Sequence, residues 1–442
     1  MIARHHLATW ALALLASACF GSTGTVSVSL VTAPGSTVLD SVQRIRLTLS
    51  DPRTQVEAVR SGGRFSLALE VPADGERGHI TVEGFDSAER LVAYGQSPDF
   101  TVGPIDARVV VYVAAPLSVG VAPVKLATAR FEVGSGPLRY GAVIAGGRGN
   151  DNSARGELEI YNAYDHTLTR GLDLPQPRAG VAVASTLDGA VYLVGGASTD
   201  GAAQGGVWRF DTNVAPAGSW GELPSTAAPR AGERALPMSV TEFLLTGPPA
   251  VLNVAQGLAA ALTSPLSMPR AAATAVVGGK AIAVGVGARV VRYRDNAFDE
   301  LTAPAALRTG HVVVSTADGQ IAVLAGEQAG ELSRDAVKID PQSGAVTVVP
   351  EALAVARKNP AVARAGRYIV LAGGVSETGA ILASAEVLDS QTLAHVALVP
   401  MSMPRAAAVA EPLPNEQVLI LGGIDGRGRA TDVLELFTPG PP

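Results

Sequence analysis

Near the C-terminus the chain reads Val418-Leu419-Ile420-Leu421-Gly422-Gly423, then a loop rich in glycine and charge over 424–432, then Val433-Leu434-Glu435-Leu436-Phe437. An apolar run closed by paired glycines, a polar loop and a second apolar run ending in an aromatic residue describe two strands joined by a turn that needs positive φ. The same pattern or a relic of it stands at Gly146-Gly147, Gly195-Gly196, Gly247-Pro248, Gly285-Val286, Gly326-Glu327 and Gly373-Gly374. These pairs recur roughly every 40 to 50 residues, a period that signals a repeat architecture.

Each repeat has the same internal order. A Pro-Arg or Arg comes first, at Arg178, Arg230, Arg270, Arg308, Arg357 and Arg405, with Arg130 standing in the equivalent place of the first repeat. A strand of small residues follows, then a turn such as Asp188-Gly189 or Asp318-Gly319, then the strand that ends in glycine. A third strand closes on a large apolar residue, as at Tyr161, Phe210, Leu252, Tyr293, Ile339, Leu388 and Phe437. With a fourth strand, each period makes one propeller blade.

This arrangement resembles the kelch family over about Ala122 to Phe437, with the family's later tryptophan kept only at Trp220. The resemblance implies an all-β protein ending in a seven-bladed propeller over 119–442, with six blades as the alternative. Only five residues follow Phe437, too few for the last outermost strand, so Val119 to Leu126 is expected to supply it. Before the propeller, short alternating runs over 25–115 (Val26, Val28 and Leu30; Ile45, Leu47 and Leu49; Val109 to Val113) describe a β-sandwich, immunoglobulin-like or prealbumin-like. A linker is read over 116–123.

The first eighteen residues have the form of a signal peptide: Arg4, an apolar stretch from Leu7 to Leu15, and small residues at Ala16, Ser17 and Ala18. The single cysteine, Cys19, follows at once and resembles the lipidated cysteine of a bacterial lipobox, although Leu15 lies four residues upstream where three is preferred. Residues 19–24 would then be the lipidated N-terminus and its tether. Phe20 rather than Asp after the cysteine implies the outer membrane under the family's sorting rule. The expected location is the cell envelope, with the chain attached through its acyl chains.

Composition narrows the function classes. The 442 residues are 47% hydrophobic and 17% charged, with 49 glycines and a net charge of −6. That is a folded, turn-rich chain without the basic footprint of a nucleic-acid binder. No two of the histidines beyond the signal peptide, His79, His166, His311 and His395, have metal-ligand spacing, and no metal or cofactor is expected. Galactose-oxidase chemistry, the enzymatic use of kelch-type blades, needs a cysteine that is absent after Cys19. No catalytic residue is assigned.

Antiparallel connectivity places the paired glycines and the six arginines on one face, here called the top. There the arginines could fork onto carboxylates of an acidic ligand; equally, each could brace a neighbouring blade, and recurrence in nearly every repeat favours bracing. Loops 148–157, 197–206, 375–384 and 424–433 are long, and those of repeats three and four are short. The expectation is a monomeric, non-catalytic binding or scaffolding lipoprotein that recognises an envelope protein or polysaccharide. The alternatives are a glycan-active enzyme on the top face and a purely structural envelope component.

Overall fold

The computed structural model describes residues 23–441 apart from 52, 62–64, 66, 73–75, 103–106, 187, 216, 225–228, 230–234, 247–248, 263–272, 278–280, 287–288, 296 and 302–307. Cys19, Arg230 and Arg270 therefore lie outside the described residues.

The N-terminal part packs two sheets. Thr23–Val31 lies between Ala68–Pro72 and, in parallel, Ala107–Tyr112; the facing sheet runs Thr54–Val59, Arg44–Leu49, Ile80–Phe85, Leu91–Gln96. Strict alternation decides which side is core: Ile45, Leu47, Leu49, Ile80 and Val82 point inward to meet Val26, Val28 and Leu69. A two-residue pair, Arg77–Gly78 with Phe100–Thr101, sits at its edge.

The rest is all-β as well. Seven four-stranded antiparallel sheets follow among the described residues, and their innermost strands are Gly134–Leu138, Ala182–Ser185, Ala235–Pro237, Ala273–Val277, Val312–Ser315, Ala361–Ala365 and Val409–Pro412. Each innermost strand lies against the next and the seventh against the first, which closes a ring of seven blades, numbered here in chain order. Small residues dominate these strands because the blades converge there. The second strands, such as Tyr368–Ala372 and Val418–Leu421, are buried on both faces between neighbouring blades and accordingly read as unbroken apolar runs. Farther out the gap widens, and Tyr161, Phe210, Leu388 and Phe437 of the third strands fill it.

Blade 7 is completed from the other end of the propeller sequence. Ser118–Arg130 pairs antiparallel with Thr431–Thr438, Val119 opposite Phe437, with irregularities on either side of Lys125. Of the stretch read as linker, 118–123 is thus strand. Another adjustment concerns repeat five, where the paired-glycine turn lies one residue earlier than Gly326-Glu327. Ala325 (φ 60°) and Gly326 (φ 87°) take the conformations of Gly373 (φ 63°) and Gly374 (φ 94°). The sequence pattern misleads here because an alanine occupies the left-handed position.

The sandwich sits under blades 7 and 1, against the turns opposite the paired glycines. Tyr164 Oη donates to Asp99 O at 2.7 Å, Asn415 Nδ2 donates to Gln96 O at 3.2 Å, and Tyr112 joins a core with Tyr161, Leu419 and Leu436.

Candidate functional site

The top face is built on the repeated arginine, which ends the approach to each blade. In the five described cases the side chain is covered: Arg130, Arg357 and Arg405 are 0% exposed, Arg308 2% and Arg178 3%. Nη1 spans two carbonyls of its own blade, at the turn after the second strand and at the start of the third. Arg357 donates to Gly373 O and Ser384 O, both at 2.9 Å, and Arg405 to Gly422 O (2.8 Å) and Val433 O (3.1 Å). Arg178 holds Gly195 O (2.7 Å) and Gly205 O (2.8 Å), and Arg308 holds Ala325 O (3.3 Å) and Asp335 O (2.6 Å).

The arginine backbone ties in the neighbour. Its carbonyl accepts the second turn N–H of the preceding blade: Gly147 to Arg178 (2.8 Å), Gly326 to Arg357 (2.9 Å), Gly374 to Arg405 (2.9 Å) and Gly423 to Arg130 (3.1 Å). One residue thus closes its own blade with the side chain and joins the previous blade with the main chain. The expected ring of guanidinium groups at the mouth takes another form at these five positions. The groups point into the blades, where each reaches two main-chain carbonyls, and the side chain braces its own blade rather than its neighbour.

Blades 1, 6 and 7 add a carboxylate that the sequence reading passed over. Glu159, Glu386 and Glu435 pair with Arg130, Arg357 and Arg405, in the last two at 3.1 and 2.9 Å, with all six side chains buried. Each acid also accepts backbone N–H groups from the incoming segment: Ala127 for Glu159, Ala354 and Val355 for Glu386, Ser402 for Glu435. Burial pushes the Glu159 carboxyl up, opposed by Arg130 beside it. A signal existed: each acid stands two residues before the closing Tyr161, Leu388 or Phe437, inside an otherwise apolar strand. In blade 2, Arg178 instead lies over the Trp208 ring, 3.7 Å from its centroid.

Around this frame the long loops fold as small hairpins, with bridges Arg148 to Ala154, Ala197 to Ala203, Val375 to Ile381 and Ile424 to Ala430. Three are laced together. Arg148 donates to Ser198 O and Thr199 O, Ala154 N to Thr199 Oγ1 at 3.1 Å, and Ala430 N to Asn150 Oδ1 at 2.7 Å. Blades 7, 1 and 2 thus carry one continuous raised wall. Between the loops of blades 5 and 6 lies a cleft of about 330 Å³ lined by Glu327, Glu331, Lys358, Ser376 and Glu377, in which Lys358 Nζ holds Glu327 at 2.7 Å.

The histidines are dispersed. His79 meets Asp99 at 3.1 Å on the sandwich, His311 Nδ1 bonds Arg308 O at 2.7 Å, and His395 Nε2 lies 3.2 Å from Glu386. Among the described residues no three His, Cys, Asp or Glu side chains converge on a metal position. The carboxylates paired with Arg130, Arg357 and Arg405 are themselves enclosed, whereas the pairs that reach solvent on this face belong to the loops, Arg155 with Asp151 at 2.8 Å and Arg429 with Asp425 at 2.9 Å.

Fold and face together define a β-propeller whose top is a wall of braced loops. No protein-family model matches the chain, and no curated protein matches it. Among solved structures it is similar to a fungal alcohol oxidase of the AA5 family, determined in complex with copper: 14% identity, TM-score 0.57, covering 72% of this chain and 75% of that one. It also matches YjhT at 15% identity and TM-score 0.45, over 71% of this chain and 96% of that one. The likeness to the oxidase is one of fold.

Proposed function

We propose that the chain is an exported lipoprotein of the cell envelope, anchored through Cys19 in the outer membrane, whose propeller binds an envelope protein or a polysaccharide without catalysis. The observation that carries this reading is the division of labour between the two faces. The sandwich, which follows the anchor in sequence, occupies the underside of blades 7 and 1, while the long loops stand on the opposite face, three of the four hydrogen-bonded to one another. A rigid scaffold that presents ordered loops away from its point of attachment suits recognition. In this reading the buried arginines serve binding indirectly, by holding the loops in register.

The test uses the full chain against envelope proteins and surface polysaccharides. Alanine at the exposed loop residues Asp200, Glu377 and Arg427 together should weaken capture several-fold and leave thermal stability unchanged. Capture that survives these changes but is lost when exposed sandwich residues are altered would overturn the assignment of the face. Cys19→Ala should release the protein from membranes; continued membrane attachment would refute the anchor.

A further inference from the structure

Among the described residues, the outermost strand of each blade has no strand paired to one edge of its backbone N–H and C=O groups, and such edges attract other strands unless they are blunted. Most of the edges here carry a blunting device. Thr167–Arg170 ends in Arg170, Ser219–Leu223 contains Glu222, and Ala297–Leu301 contains Asp299 and Glu300. His395–Pro400 has a register shift and a terminal proline, and Ser118–Arg130 has two irregularities and Lys125. Leu258–Ala261 is uncharged but is three-quarters alanine, a poor strand former.

Blade 5 is different. Its edge, Val346–Val349, reads Val-Thr-Val-Val, has no charge, and pairs with Ala336–Ile339 without irregularity. Val346 is 37% exposed and Val348 45%. The register decides which groups face out. Asp340 N donates to Ala345 O at 2.8 Å, so in the alternating antiparallel pattern Thr347 and Val349 bond inward to Lys338 and Ala336. Val346 and Val348 turn their N–H and C=O groups outward. Their side chains share the face of blade 5 turned away from blade 6, because Val349, on the other face, packs with Ile369, Leu371 and Leu388 of blade 6.

We propose that the edge of blade 5 is a docking site for an extended segment of a partner protein, which adds a fifth, antiparallel strand through Val346 and Val348. The absence of charge selects an uncharged segment with β-branched or apolar residues at the positions beside the two valines. A second copy of this chain fits less well. Two closed rings meeting rim to rim would touch along four residues, far short of the roughly 1,200 Å² of a stable interface, whereas an extended segment needs no more than the open edge itself. The site is on the rim, independent of the loop face.

The probe is a soluble peptide with a Thr-Val-Thr-Val-Thr centre and lysine ends, titrated onto the full chain, with amide exchange read residue by residue. Binding should slow exchange at Val346 and Val348. Val348→Pro removes one outward N–H and leaves the inward ladder intact, so it should weaken binding roughly tenfold or more with an unchanged unfolding midpoint. Val59→Lys, on the sandwich, should have no effect. Three results would overturn the proposal: equal binding by the proline variant, protection confined to another edge, or concentration-dependent dimerisation abolished by Val348→Pro, which would make the occupant a second copy.

Discussion

Nε2 of His166 accepts the backbone N–H of Tyr112 at 3.1 Å, across the junction between sandwich and propeller. Because that nitrogen is an acceptor, the imidazole proton sits on Nδ1 and is donated to Tyr161 Oη at 2.8 Å. Both ring nitrogens are used only while the ring is neutral. The side chain is buried, and burial pulls its pKa from 6.5 down to about 4, with only the neighbouring Asp165 pulling the other way.

The pH dependence follows in sign. An unfolded chain takes up this proton near pH 6.5 and the folded one near pH 4, so stability falls as pH drops through that window, by roughly 3 kcal/mol for this group. His166→Gln retains an acceptor and removes the titration. Denaturant midpoints of the two proteins, compared at pH 7 and 4.5, should converge or cross as the pH falls; parallel curves would show that His166 is not the group responsible.

Arg405→Ala leaves Glu435 buried without its partner and frees two carbonyls. A loss of about 3–5 kcal/mol is expected, and Arg405→Lys should recover little of it because an ammonium cannot reproduce the guanidinium fork. Replacing both members with apolar residues, Arg405→Met with Glu435→Leu, should cost less than removing the arginine alone. Urea titration of the three variants checks the order.

The turn after the second strand offers a paired test. At Gly373 a Cβ would come within 2.0 Å of Arg405 O, at a φ of 63°, so Gly373→Ala should destabilise blade 6 and its joint with blade 7. At the same place in blade 5 an alanine is native. Ala325→Gly should therefore relieve left-handed strain and raise stability by about 1 kcal/mol, the strain relieved exceeding the entropy cost. Thermal unfolding of both decides the matter, and a destabilising Ala325→Gly would contradict the strain argument.

Phe437 is enclosed at the seam of the ring, edge to face with Tyr368 at 6.0 Å. Phe437→Ala should cost about 3–5 kcal/mol and loosen blade 7 first, visible as faster amide exchange along Ser118–Arg130.

Much of this architecture was legible in the sequence because its cause is local and repeated. Paired glycines mark a turn with positive φ, unbroken apolar runs mark strands covered on both sides, and the apolar run from Val119 to Leu126, just ahead of the first repeat, is the strand that completes blade 7. The arginine showed its importance but not its direction. Whether a guanidinium faces solvent or two carbonyls of its own blade depends on where the third strand begins, which the spacing of Arg405 and Gly422 alone does not disclose. Glu159, Glu386 and Glu435 were overlooked because a lone acid in an apolar strand reads as an edge residue until its partner, some thirty positions away, is placed beside it. Ala325 does not stand out in the sequence because an alanine rarely takes the positive φ that it has here.

Ser118–Arg130 lies directly after the sandwich and pairs with Thr431–Thr438 at the far end of the chain. That pairing sets an order of events in biosynthesis. The strand is synthesised long before its mate, so any blade that forms before the chain is complete forms on an unclosed array whose first and last surfaces are bare. Long-range pairings of this kind are made late and slowly, and the interval is one in which exposed strands invite wrong partners. Completion of the ring is therefore also a check on the whole chain: a product truncated anywhere before Thr431 keeps its borrowed strand unmatched and remains open to proteolysis.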